Sequence, residues 1–153
     1  MSGLADLSRP NRSIPSEHDE QAHLILKLRA LPAVVLDNLA AIPNGQLRDK
    51  RVARKLKAEG QSNGYPDLLL DLPRGPYHGF RCEMKRQKAV PSEWRQEQRE
   101  WAARLNANGY LSVVAKGAVE AFLQFRTYYE LGPYNPYAQV DLSRFHLMLI
   151  GNR

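Results

Sequence analysis

Apolar residues recur along this chain with two different periods, and the changes of period mark its elements. After Ser16, the residues Glu17, Glu20, Leu24, Leu28 and Leu31 fall at steps of three and four, the spacing of one face of an α-helix. Ser16 and Asp19 stand three apart, as in a capping box with aspartate in place of the usual glutamate. Pro32 lies at the end of this helix or just beyond it. Leu36 to Ile42 predicts a short extended segment, and Pro43-Asn44-Gly45 a turn. Asp49 to Glu59 predicts a second helix, with Val52 and Leu56 facing inward and Gly60 ending it.

The period then shortens to two. Leu68, Leu70 and Leu72 share one face of a strand, while Asp67, Leu69 and Asp71 share the other. Pro73-Arg-Gly-Pro76 carries turn chemistry. In the following strand Phe80, Cys82 and Met84 point one way and Arg81, Glu83 and Lys85 the other. A hairpin turning around Gly75 would bring Asp67 roughly opposite Glu83. Ser92 is expected to cap a long helix that runs to about Asn108 and ends at Gly109, with Trp94, Gln98, Trp101 and Leu105 in one stripe. Leu111 to Ala115 reads as a short buried strand and Ala118 to Tyr129 as a helix. Past Gly132-Pro133 the chain is rich in Tyr, Pro and Asn, and Phe145 to Ile150 reads as a last strand. No repeat interrupts this order. The division expected is a flexible arm over 1–15, one domain over 16–130 and a tail over 131–153.

Composition narrows the classes. A chain of 153 residues, 43% hydrophobic and 25% charged, suits one globular domain. The single cysteine, Cys82, excludes an internal disulfide framework and a cysteine-rich zinc site. His18, His23, His78 and His146 show no ligand spacing, and Lys116-Gly117 lacks the other glycines of a phosphate-binding loop. No apolar run is long enough to cross a membrane, and the N-terminus has no signal-peptide character, so a cytoplasmic location is expected. A net charge of +6 favours an anionic partner such as nucleic acid. The charge is concentrated: Arg48 to Lys57 holds six basic residues and one acid, and Lys85-Arg86-Gln87-Lys88 forms a second cluster.

Charge on a strand that belongs in a core is costly without partners. Asp67, Glu83 and Lys85 carry that cost together, Glu17 and Glu20 sit on the apolar stripe of the first helix, and Gln98 interrupts the tryptophan stripe. A surface salt bridge accounts for Glu83 and Lys85 alone, but not for the whole set. Phosphodiester hydrolysis accounts for all of it. Hard divalent cations take oxygen ligands, make water nucleophilic and offset phosphoryl charge. Asp67, Glu83 and the Met84 main-chain carbonyl could supply such ligands, and a nearby ammonium can position water or phosphate.

Gly64-Tyr-Pro-Asp67 followed by Glu83-Met-Lys85 resembles the PD-(D/E)xK nuclease signature. The ordered set around it resembles the VRR-NUC family: Ser16-Glu-His-Asp-Glu-Gln21, Ile42-Pro-Asn-Gly45, Lys57-Ala-Glu-Gly60, Tyr77 to Lys85, and Gln98-Arg-Glu-Trp-Ala-Ala-Arg-Leu105. The resemblance implies an α/β fold, a restriction-endonuclease-like αβββαβ core whose mixed central sheet is flanked by helices. It implies Mg²⁺ or Mn²⁺ on Asp67 and Glu83, Lys85 as the catalytic lysine, and Gln98 lining the site. It also implies an acid from the first helix, for which Glu20 is preferred, as catalytic group and ligand, over Glu17 one turn earlier. Arg51, Arg54, Lys55, Arg86, Lys88 and Asn44 are the expected DNA contacts. Small stand-alone members resemble Holliday-junction resolvases, so a homodimer on branched DNA is expected, with Tyr134, Tyr137, Phe145 and Leu147 of the tail covering the interface. A flap or other branched-DNA repair nuclease, a catalytically silent junction-binding protein and a basic RNA-binding module are the competing readings. Trp94 and Trp101 are expected in core or interface, not against bases.

Overall fold

A computed structural model describes residues 13–43 and 49–148. Helix α1 spans Glu17–Leu28, α2 Ala33–Asp37, strand β1 Leu39–Ala41, α3 Lys50–Ala58, β2 Leu68–Leu70, β3 Gly79–Lys85, α4 Gln96–Ala107, β4 Tyr110–Lys116 and α5 Gly117–Tyr129. The sheet is mixed, in the order β1-β2-β3-β4. β1 and β2 pair antiparallel, as do β2 and β3, while β3 and β4 run parallel. The parallel pair follows from the connection: α4 carries the chain back to the starting end before β4 begins.

The alternation read from the sequence sorts the layers. Phe80, Cys82 and Met84 of β3 and Leu111, Val113 and Ala115 of β4 face Leu24 and Leu28 of α1 and Ala118, Ala121, Phe125 and Tyr128 of α5, forming the main core. Phe80 stacks on Tyr128 at 4.8 Å and meets Phe125 edge-on at 4.8 Å. The Tyr128 hydroxyl donates to the Leu72 carbonyl at 2.6 Å, which satisfies its polar end. On the opposite face, Val114 joins Ala89, Trp94, Ala102 and Met148 in a smaller cluster beneath α4. Every residue of β3 is buried, so Arg81, Glu83 and Lys85 do lie inside.

Several boundaries differ from expectation. The capping box at Ser16 and Asp19 is present, with the Ser16 hydroxyl accepting from the Asp19 N–H at 3.1 Å. The segment read as extended from Leu36 begins instead as α2, because Pro32 supplies its first turn's lead-in, and only Leu39–Ala41 is a strand. The long helix expected from Ser92 starts at Gln96: Pro91–Glu93 form a 3₁₀ turn and Trp94 is extended. Helix α3 buries no residue, and Val52, expected inward, is 43% exposed. The described part of the expected last strand, Phe145 to Met148, is not a strand. It still shields the free edge of β4, where the Val114 N–H donates to the His146 carbonyl at 2.9 Å. Phe145 and Met148 are buried in their own chain. Phe145 is therefore part of the main core and not an exposed interface residue. Residues 1–12 of the expected arm, Asn44, and Leu149 and Ile150 lie outside the described residues.

Candidate active site

Leu68 pairs with Cys82, so the register sets Asp67 beside Glu83 at the end of β2, as the hairpin predicted. Asp67 Oδ2 accepts from the Met84 N–H at 2.8 Å, which ties the carboxylate to β3. Gly64 fixes the same segment from the other side. Its φ is +85°, and a Cβ there would lie 2.5 Å from the Glu97 main-chain carbon and 2.7 Å from the Gln98 nitrogen. Only glycine lets the loop before Asp67 approach the start of α4 so closely.

That approach brings Gln98 over β3. Gln98 Nε2 donates to Glu83 Oε1 at 2.6 Å, and Gln98 Oε1 accepts from Lys85 Nζ at 3.2 Å and from the Arg95 N–H at 3.0 Å. The amide thus bridges the acid and the ammonium, and its own orientation is set by the helix terminus. Lys85 Nζ stands 3.6 Å from Glu83 Oε1. Glu83 Oε2 is buried and has no hydrogen-bond partner among the described residues. Burial raises the Glu83 carboxyl to about 8, the Asp67 charge adds to the rise, and Lys85 opposes it.

The two acids of α1 part company. Glu20 is buried, with Oε1 accepting from Gln87 Nε2 at 2.7 Å and Oε2 from the Ala118 N–H at 2.6 Å. Oε2 holds the start of α5 and Oε1 the loop just past β3, so both oxygens of Glu20, expected to serve the cluster, have partners other than Asp67, Glu83 and Lys85. Glu17 lies on the surface one turn earlier, and its charge environment is the site itself. Partial loss of water raises its carboxyl, Lys85 opposes that, and Asp67 adds to it. The sequence signal for this was weak, since Glu17 and Glu20 share one helical stripe.

The expected basic contacts fall in two places. Arg51, Arg54 and Lys55 lie on α3, which buries no residue, and Arg86 and Lys88 are exposed just past Lys85. Arg86 Nη2 pairs with Glu93 Oε1 at 2.6 Å. Asn44 lies outside the described residues. Arg81, on the same face of β3 as Glu83, is a structural pin: it donates to the Tyr65 hydroxyl at 3.0 Å, pairs with Asp71 at 3.2 Å and lies over the Tyr110 ring at 4.6 Å.

The donor set fits a hard cation. A buried carboxylate oxygen without a partner, on a group whose ionisation burial opposes, gains from a nearby positive charge. Among the described residues no group of three or more His, Cys, Asp or Glu side chains is placed to hold a metal ion. An ion would therefore rest on Asp67, Glu83, main-chain carbonyl oxygen and water, a set that suits Mg²⁺ better than Zn²⁺. No helix among the described residues is long and apolar enough to cross a membrane.

The described residues form an α/β domain with a mixed four-stranded sheet, and an acid pair and a lysine meet at its central strands. Among solved structures the chain is similar to one described as a VRR_NUC domain protein, at 28% identity and a TM-score of 0.72, over 82% of this chain and 98% of that one. No protein-family model and no curated protein matches the chain. The chain has the VRR-NUC fold, and the likeness suggests a nuclease domain.

Proposed function

We propose that this protein is a divalent-cation-dependent, structure-specific DNA endonuclease, and that it acts as a homodimeric Holliday-junction resolvase. The observation that carries the reading is the buried set of Glu83, Lys85 and Gln98 beside the half-buried Asp67, in which Glu83 Oε2 lacks a partner among the described residues. Asp67, Glu83 and the Met84 carbonyl would hold Mg²⁺ or Mn²⁺. When bound, the ion supplies an activated water and neutralises charge on the phosphoryl oxygens. Lys85 offers its ammonium to the scissile phosphate or the attacking water. Gln98 holds Lys85 and Glu83 in fixed relation, so neither reorganises when substrate arrives. Glu17, at the mouth of the cluster, is the first-helix acid of this reading. Arg51, Arg54 and Lys55 on α3, with Arg86 and Lys88 past β3, bind the DNA backbone through phosphate charge.

Two symmetric cuts in a four-way junction call for a two-fold enzyme. The test is cleavage of a labelled four-way junction, a 5′ flap, a splayed arm and a linear duplex with Mg²⁺ or Mn²⁺, beside Lys85→Ala. Paired cuts in the junction, lost in Lys85→Ala with DNA binding retained, are expected. Cutting of flaps alone would move the protein to branched-DNA repair. Tight junction binding without any cut would make it a silent binder on this fold.

A further inference from the structure

Lys85 has a neighbour that the acid and amide cluster does not explain. Its Nζ lies 5.8 Å from the centroid of the Trp94 ring, within the range of a cation–π contact. Both side chains are buried, and such contacts strengthen when water is excluded. We propose that Trp94 is a positioning residue for Lys85: its ring holds the ammonium against Gln98 and away from a full ion pair with Glu83. The inference rests on the reading of Lys85 as the catalytic lysine.

The geometry gives the ring something to do. Of the oxygens near Lys85 Nζ, Gln98 Oε1 is at 3.2 Å and Glu83 Oε1 is at 3.6 Å, the second beyond good hydrogen-bond distance. Closing that gap would tie the ammonium to the carboxylate and take both away from cation and phosphate. The negative face of the Trp94 ring, 5.8 Å from Nζ, competes with that carboxylate for the ammonium.

Trp94 is itself held with unusual firmness for a residue between a 3₁₀ turn and a helix. Its N–H donates to the Pro91 carbonyl at 3.0 Å. Arg99, a buried charge, donates from Nε to the Trp94 carbonyl at 3.3 Å and from Nη2 to the Pro91 carbonyl at 2.7 Å. The guanidinium thereby staples the segment before α4 onto α4. The ring is completed from behind by Ala89, Ala102, Val114 and Met148. The indole fills that cluster and also presents a charge-directed surface to Lys85. The tail residue Met148 thus reaches the site through Trp94.

The chain has two tryptophans, so a Trp101→Phe background leaves Trp94 alone for labelling; Trp101 bonds Ser62 and lies outside the cluster. The Lys85 ε-methylene protons, assigned by their loss in Lys85→Arg, are expected to show an upfield ring-current shift that disappears in Trp94→Leu. Mono- and difluorotryptophan keep the ring's shape and weaken its negative face. Cleavage kcat is expected to fall stepwise along that series, and about three- to tenfold in Trp94→Leu, at constant KM. If Trp94→Leu does not fold, the fluorinated series decides. A Lys85 signal indifferent to Trp94, or a kcat indifferent to fluorination, would overturn the inference. If the wild-type protein cuts nothing, the nuclease reading falls; a Lys85 signal that still depends on Trp94 upholds the positioning, and one that does not overturns it.

Discussion

At the scale of the residue, Glu83 is where this fold accepts a cost. Its carboxyl titrates near 8 against an ordinary value of 4.5, chiefly through burial and then through Asp67. The sign follows from which state loses its proton first. Below the ordinary value both folded and unfolded chains are protonated, and the native state is at no disadvantage. As pH rises from there towards 8, the unfolded chain ionises and the folded chain does not, so stability falls, and it levels off beyond. The loss is on the order of a few kcal/mol. With a chelator present, the melting temperature is expected to drop between pH 5 and pH 8, and Glu83→Gln to flatten that drop. Mg²⁺ should restore the wild-type protein at pH 8 and leave Glu83→Gln unmoved. Melting curves indifferent to pH, or a cation effect that survives the substitution, would remove Glu83 from the ion site.

At the scale of the element, the site depends on how closely two segments approach. Gly64 stands against the first turn of α4 with φ +85°. Alanine there meets backbone, which cannot rotate away, so Gly64→Ala is expected to cost about 1–3 kcal/mol in urea melts. It should also depress cleavage more than the stability loss explains, because Asp67 and Gln98 separate. Helix α3 is the converse case. It buries nothing, so replacing Arg51, Arg54 and Lys55 by Gln should leave the melt within about 0.5 kcal/mol. DNA affinity by fluorescence anisotropy should weaken, and the slope of log K against log salt should shrink by about 0.9 for each phosphate that is no longer neutralised. An unchanged slope would take α3 off the DNA.

At the scale of the whole molecule, the tail closes the domain. Gln124 donates to the Val114 carbonyl at 2.9 Å and accepts from the His146 N–H at 2.7 Å, so one buried side chain stitches the tail to β4. The His146 ring meets Glu120 at 2.6 Å beside it. With Phe145 committed to the core, the tail aromatics still outward are Tyr134, 47% exposed, and Tyr137, 90% exposed. If the proposed homodimer uses this surface, sedimentation at micromolar concentration should give a dimer, and Tyr137→Glu should dissociate it without lowering the melting temperature of the monomer. A wild-type monomer under those conditions would count against paired junction cutting.

The sequence alone determined the elements with strong periods and the chemistry they carry. Alternation around Leu68 to Leu72 and Phe80 to Lys85, with turn residues between, placed Asp67 beside Glu83, because strand period and hairpin register are local properties. The stripe from Trp94 to Leu105 marked Gln98 as a polar group needing a partner. The tertiary structure decided what local pattern cannot. Glu17 and Glu20 occupy the same stripe, and only the packing of α1 against α5 and the loop past β3 shows that Ala118 and Gln87 take Glu20, while Glu17 stays exposed in the field of Lys85 and Asp67. Trp94 belongs by spacing to the helix that follows. Arg99 bonds its carbonyl and that of Pro91 across the turn, and the ring comes to lie beside Lys85. Phe145 read as interface because it is an aromatic residue in an irregular tail; the main core, built from residues far earlier in the chain, takes it in. Contacts between residues far apart in the chain depend on how layers pack, and packing leaves no period in the sequence to read.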